Sequence, residues 1–163
     1  MPVEFYDSAP GVFPAGAQYA ALYADGEFDQ AGKFPGIPNR RWITVEGGDP
    51  AAAYAGLADY EQGNPVFFNA GALRAWAQGR RNRGFRFRPY CDRANFHAAY
   101  QQVGDLGPEW WIATLDNDPH WTPAAIAASL KAISGITVDP ATIWGIQWGT
   151  NSRYDTSYLT GQW

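Results

Sequence analysis

Asp59-Tyr60-Glu61 is the segment of this sequence best suited to chemistry. In an extended strand, residues i and i+2 face the same side, which places the two carboxylates on one face, roughly 5–7 Å apart. Carboxylates that close cannot both ionise freely, so one pKa rises. The pair then offers a proton donor beside an ionised base or stabilising charge, an arrangement found in glycosidases. A lone D-x-E is common by chance, and its value depends on what the rest of the chain brings to it.

Other acidic residues recur at comparable places. Short runs rich in aromatic and β-branched residues read as strands over 3–7, 19–25, 41–46, 56–61, 85–92, 110–116, 143–148 and 154–159. Six of them end on a carboxylate: Asp7, Asp25, Glu46, Glu61, Asp92 and Asp116, while Asp155 lies inside the eighth. Such residues also begin loops and cap helices, but a whole ring of them at one rim would repel itself. Helical periodicity is read over 65–83, 92–103 and 122–133, with Asp92 as a candidate N-cap, Gly84 as a stop and Thr-Pro at 122–123 as a start. Segments 13–18 and 50–54 have room for one turn each.

Strands alternating with helices predict an α/β fold. The closure that suits eight of them is a small parallel (β/α)8-type barrel with few helices, one domain over 1–163; an open parallel α/β sheet is the alternative. In such a barrel the site forms at the C-terminal ends of the strands, where the carboxylates fall. Tyr23, Tyr90, Tyr158, Trp110, Trp111, Trp121, Trp144 and Trp148 lie in or beside strand ends, either filling the barrel or offering flat faces to a ligand. The arginines at 80, 81, 83, 86 and 88 fit a helix C-terminus at the barrel's other end better than an anion site. Cys91 would need His97 or His120 as a base to act as a nucleophile.

Six pieces in register resemble the glycoside hydrolase family 25 lysozymes, in a short actinobacterial and actinophage branch: Phe5-Tyr6-Asp7-Ser8, Asp59-Tyr60-Glu61, the segment 88–93 around Tyr90, Trp111-Ile112-Ala113, the segment 144–148 and Tyr154-Asp155-Thr156-Ser157. The resemblance implies a muramidase-type glycosidase acting on cell-wall peptidoglycan. Glu61 would be the general acid, Asp59 the stabilising carboxylate, and Asp7 and Asp155 the rest of an acidic floor. Tyr23, Tyr90, Asp92, Trp111, Asp116, Gln147 and Trp148 would bind substrate. No cofactor and no metal are implied. The chain departs from the family in its short length, in Gln-Trp at 147–148 where the family has Gln-Tyr, in the extra acids Asp25, Glu27, Glu46 and Asp49, and in lacking a cell-wall-binding module. The alternative is a catalytically inactive phage virion or tail protein that keeps the fold to bind glycans or other virion proteins.

Composition bounds these readings. Of 163 residues, 46% are hydrophobic and 17% charged, which is globular rather than disordered. Gly and Pro are 18 and 12, above the usual share, so connections are many and short. A net charge of −4 argues against a nucleic-acid partner. No apolar run reaches the ~18 residues a membrane span needs, and the first residues have neither a basic nor a hydrophobic leader region. The expected location is a phage virion or a released phage or bacterial lysin. One cysteine makes no internal disulfide, and two distant histidines make a poor zinc set.

Overall fold

A computed structural model describes residues 3–30, 32–45, 56–61, 71–161 and 163. Eight strands close into a barrel in sequence order: β1 (Val3–Asp7), β2 (Tyr19–Tyr23), β3 (Asn39–Thr44), β4 (Leu57–Asp59), β5 (Arg88–Asp92), β6 (Trp110–Ala113), β7 (Ile143–Thr150) and β8 (Asp155–Leu159). Each falls on one of the eight runs. Closure rules out the open sheet.

The barrel is not wholly parallel, which corrects the sequence expectation. Strands β1 to β7 run parallel to their neighbours, but β8 is antiparallel to both β7 and β1. The reason is the length of the last connection. Only residues 151–154 separate β7 from β8, enough for a hairpin, whereas a parallel return needs a crossover of about a dozen residues or more.

Helices follow β4, β5 and β6: α1 (Ala72–Asn82), α2 (Phe96–Val103) and α3 (Pro123–Ser134). Their buried residues recur at helical spacing, Leu73, Trp76, Ala77 and Arg80 in α1 and Phe96, Ala99 and Val103 in α2. Thr122 caps α3 by accepting from Ala125 N at 3.2 Å. The expected helix over 65–83 is seen from Ala72, and 65–70 lie outside the described residues, as does the turn at 50–54. Segment 13–18 makes a turn, closed by Ala17 N donating to the Pro14 carbonyl, and no helix. Asp92 is not the N-cap of α2. That place is Asn95, and Asp92 instead accepts from Asn95 N at 2.7 Å, because the chain makes one extra turn before the helix begins.

Loops replace helices on the β2–β3 side. Phe13, Phe34 and Ile37 pack over the outward-facing Ala20, Leu22 and Trp42. A two-sided burial of β2 is thereby achieved without a crossover helix. No helix among the described residues is long and apolar enough to cross a membrane.

The barrel interior is layered. Arg88 lies over the Trp144 ring at 4.7 Å and forms an ion pair with Glu109 at 2.7 Å, while Arg41 lies over Trp163 at 5.6 Å. Above them Phe5 packs on Trp111, Trp144 and Trp163 with ring centroids 5.2–5.4 Å apart. This aromatic layer separates the guanidinium groups from the carboxylates at the other end.

Candidate active site

The alternation of strands decides what reaches the mouth. Phe5 and Asp7 are two apart in β1, so Asp7 sits one layer above the aromatic plug. Asp59 in β4, Tyr90 in β5 and Trp111 in β6 rise to the same level through adjacent parallel ladders, Asp59 opposite Tyr90 and Tyr90 opposite Trp111. Asp155 arrives from the other direction. Because β8 is antiparallel, its first residue lies at the rim where the other strands end, directly opposite Asp7.

A cavity of about 200 Å³ opens there, lined by Asp7, Ala9, Tyr23, Phe28, Ile43, Asp59, Glu61, Tyr90, Trp111 and Asp155. All four carboxylates expected to be catalytic are brought together, with Tyr23, Tyr90 and Trp111 of the expected binding residues. Asp92 is spent on Asn95. Asp116 lies on an exposed loop, accepting from Trp121 Nε1 at 2.9 Å and facing Arg93. Gln147 is buried but outside the pocket wall, and Trp148 falls at a β-bulge between Gln147 and Gly149. Ala9, Phe28 and Ile43 were missed. Ile43 was within reach of strand alternation, while Ala9 and Phe28 belong to loops that no periodicity marks.

Buried polar contacts hold the wall in place. Gln30, 2% exposed, donates to the Ser8 carbonyl at 2.6 Å and accepts from Tyr23 N at 3.3 Å. It thus joins the turn after β1 to the end of β2. The Ser8 hydroxyl donates to the Arg153 carbonyl, fixing the β7–β8 hairpin against the end of β1. Asp25 staples β2 to β3 by accepting from the Thr44 hydroxyl and from Val45 N at 2.7 Å. That accounts for one of the four extra acids. The Glu27 side chain, Glu46 and Asp49 lie outside the described residues. Trp111 Nε1 donates to Ser157 Oγ at 3.1 Å, fixing the indole at the pocket floor.

The electrostatics follow from crowding. Asp7 is 4% exposed and Asp59 6%. Burial, then the charge of Asp155, then those of Asp59 and Glu61 push the Asp7 pKa well up. Burial, then Glu61 and Asp155, do the same to Asp59. Glu61 is the most open of the four, and burial still raises it, against a hydrogen bond from Tyr90 that lowers it. Asp155 is raised by burial and eased by Thr150. Asp7 Oδ2 and Asp59 Oδ1 have no hydrogen-bond partner among the described residues. Among the described residues, no lysine, arginine or histidine lines the cavity. Among the described residues no group of three or more histidine, cysteine or acidic side chains is placed to hold a metal ion.

Cys91 is fully buried and its thiol is pushed well up by burial, the opposite of what a nucleophile needs. His97 and His120 are exposed and paired locally, with Gln101 and Asp118.

No protein-family model matches the chain, and no curated protein does. A solved structure to which it is similar is the HMG-CoA lyase from Brucella melitensis, at 15% identity and a TM-score of 0.44, with 75% of this chain covered. The chain spans 56% of the length of that lyase. The resemblance to family 25 lysozymes is corrected by the first two of these findings: no family model and no curated protein bears it out. The cell-wall hydrolase function read from that resemblance falls with it, and nothing supports the inactive virion alternative. The six short pieces fall on β1, β4, β5, β6, β7 and β8 or the residues directly beside them.

Proposed function

We propose that the mouth of the barrel is a general acid–base site for a small molecule. Glu61, the open carboxylate, exchanges the proton with the ligand, and Asp59, buried behind it, holds or releases the compensating charge. Burial, and with it the charge of Asp155, keeps both protonated more readily than ordinary carboxylates, and Asp7 adds the fourth carboxylate to the cavity. The observation that carries this reading is that four carboxylates from β1, from β4 and the residue just beyond it, and from β8 open onto one cavity with no cation among its described lining residues. Carboxylates with environments this different divide acid and base roles between them. Catalysis of this kind contributes typically ~10²–10⁴-fold.

The test is a pH titration of the side-chain carboxyl carbons by NMR on the intact chain, in wild type and Glu61→Gln. Asp7 and Asp59 are expected to titrate above the exposed carboxylates, and Glu61→Gln to lower the Asp59 midpoint by removing a like charge. Ordinary midpoints, or an Asp59 midpoint indifferent to Glu61, would overturn the reading.

A further inference from the structure

We infer that the mouth of the barrel takes a small organic cation, a primary ammonium group on a short hydrocarbon stem. This inference names the ligand class of the acid–base site and rests on that reading. Asp7 Oδ2 and Asp59 Oδ1 are acceptors on side chains more than nine-tenths buried, and neither has a donor among the described residues. Buried polar atoms are rarely left this way. An ammonium group carries three donors and no acceptor, the complement of an unpartnered acceptor pair.

The walls suit the rest of such a ligand. Tyr23, Phe28, Tyr90 and Trp111 present aromatic surface to the cavity. Aromatic faces attract a cation and pack against methylenes alike. Tyr90 and Trp111 are held edge to face at 4.7 Å, and the Ser157 hydroxyl fixes the indole, so the wall is preorganised. A volume of about 200 Å³ is that of roughly six or seven waters at ~30 Å³ each, which limits the ligand to a few carbons.

Charge decides between ligands of similar size. An anion would join four carboxylates with no cation to receive it. A neutral diol would leave their mutual repulsion in place. A cation relieves that repulsion and displaces the protons that otherwise relieve it. Among the described residues, the groups facing Asp7 and Asp59 are Asp155 from β8, Tyr23 from β2, Glu61 beyond β4 and Tyr90 and the buried Cys91 thiol from β5, with Asp92 acting on Glu61; β3 and β6 contribute the uncharged Ile43 and Trp111. Burial holds both phenols protonated, so the carboxylates alone supply the titration. Binding therefore releases protons and tightens as pH rises towards the carboxylate midpoints, by up to about tenfold per pH unit for each proton displaced, and levels off above them, while the amine itself stays charged below about pH 10.

Calorimetry on the full chain tests this with 1,4-diaminobutane, 1,4-butanediol, succinate and magnesium chloride, at intervals from pH 4 to pH 8, in buffers of different ionisation enthalpy. The diamine alone is expected to bind, at least tenfold tighter at pH 8 than at pH 4, with net proton release at the lower pH. Glu61→Gln, at the open edge of the site, is expected to weaken binding about tenfold with the fold retained by circular dichroism. Binding of the diol or succinate at equal strength, binding of magnesium in place of the diamine, or pH-independent diamine binding would overturn the inference. The carboxyl titration without ligand separates the two readings. Raised midpoints with no diamine binding leave the acid–base site standing without this ligand, and ordinary midpoints remove both.

Discussion

Asp7 and Asp155 face each other in register across the antiparallel β1–β8 ladder. Like charges directly opposite on a sheet destabilise it. Here the pair is also at the top of a closed barrel, with Asp7 buried, and the charge of Asp155 reaches Asp7, Asp59 and Glu61 alike. The last residue of one strand meets the first residue of its partner only because β8 runs backwards. A parallel β8 would have carried Asp155 to the arginine-lined floor.

Asp7→Asn is expected to make the chain more stable at neutral and alkaline pH. The folded state raises the Asp7 pKa well above its ordinary 3.8, so the folded chain holds that proton more tightly than the unfolded one. The favourable contribution is complete below about pH 4 and is lost as pH rises through the folded value. Asparagine has no such loss. Denaturant unfolding at pH 4, 6 and 8 should show a flatter profile for the variant, with its advantage over wild type growing with pH. An advantage equal at all three would mean that ionisation of Asp7 is not its source.

Much of this arrangement is legible in residues alone. All eight strands coincide with short aromatic and β-branched runs, because β2 and β4 to β7 are buried on nearly every residue and have little room for polar side chains. The Asp59 and Glu61 pairing follows from a period of two. The direction of β8 was open to the same reading, since four residues cannot carry a crossover, but a count of alternating elements favours the parallel solution. Asp92 and Asp116 resemble Asp7 in sequence and differ only in finding local donors, Asn95 and Trp121. Nothing in a strand-end pattern separates an acid that caps a turn from one that faces a cavity.

Gly145→Val is expected to destabilise the chain and disturb the pocket floor together. A Cβ at this position would lie 3.2 Å from Trp111 Cδ1 and 3.4 Å from Phe5 Cζ. Both rings are fully buried, so neither can retreat without opening a gap. Overpacking of this kind costs about 1–3 kcal/mol, and a domain of this size loses about 2–4 °C of Tm per kcal/mol. Thermal melts and the tryptophan near-ultraviolet signal report the two effects. An unchanged Tm and signal would mean that the barrel interior is looser than its contacts indicate.

Gln30→Ala is expected to cost about 1–3 kcal/mol, the penalty for leaving buried backbone groups unpaired. The amide holds the Ser8 carbonyl and Tyr23 N at once. Leucine should fail to restore stability despite filling the volume, whereas glutamate, which can still accept but not donate while ionised, should restore only the Tyr23 contact. Urea unfolding of the three variants distinguishes lost hydrogen bonds from lost packing. Full rescue by leucine would assign Gln30 a packing role alone.

Tyr90→Phe is expected to move the two carboxylates of the D-x-E segment in opposite directions. The Tyr90 hydroxyl bonds Glu61 and pulls its pKa down against burial and the charges of Asp155 and Asp92. Without it Glu61 holds its proton to higher pH. Over that added range Glu61 is neutral, and the like charge that raises Asp59 is removed. The Glu61 midpoint should therefore rise while that of Asp59 falls, in a coupled pair whose steps belong to both. Carboxyl NMR resolves the two, and phenylalanine keeps the ring that packs on Trp111. If both midpoints rose, the variant would have buried the site more deeply. If neither moved, the hydroxyl would not reach Glu61 in solution, and the proton would have to be shared by the carboxylates alone.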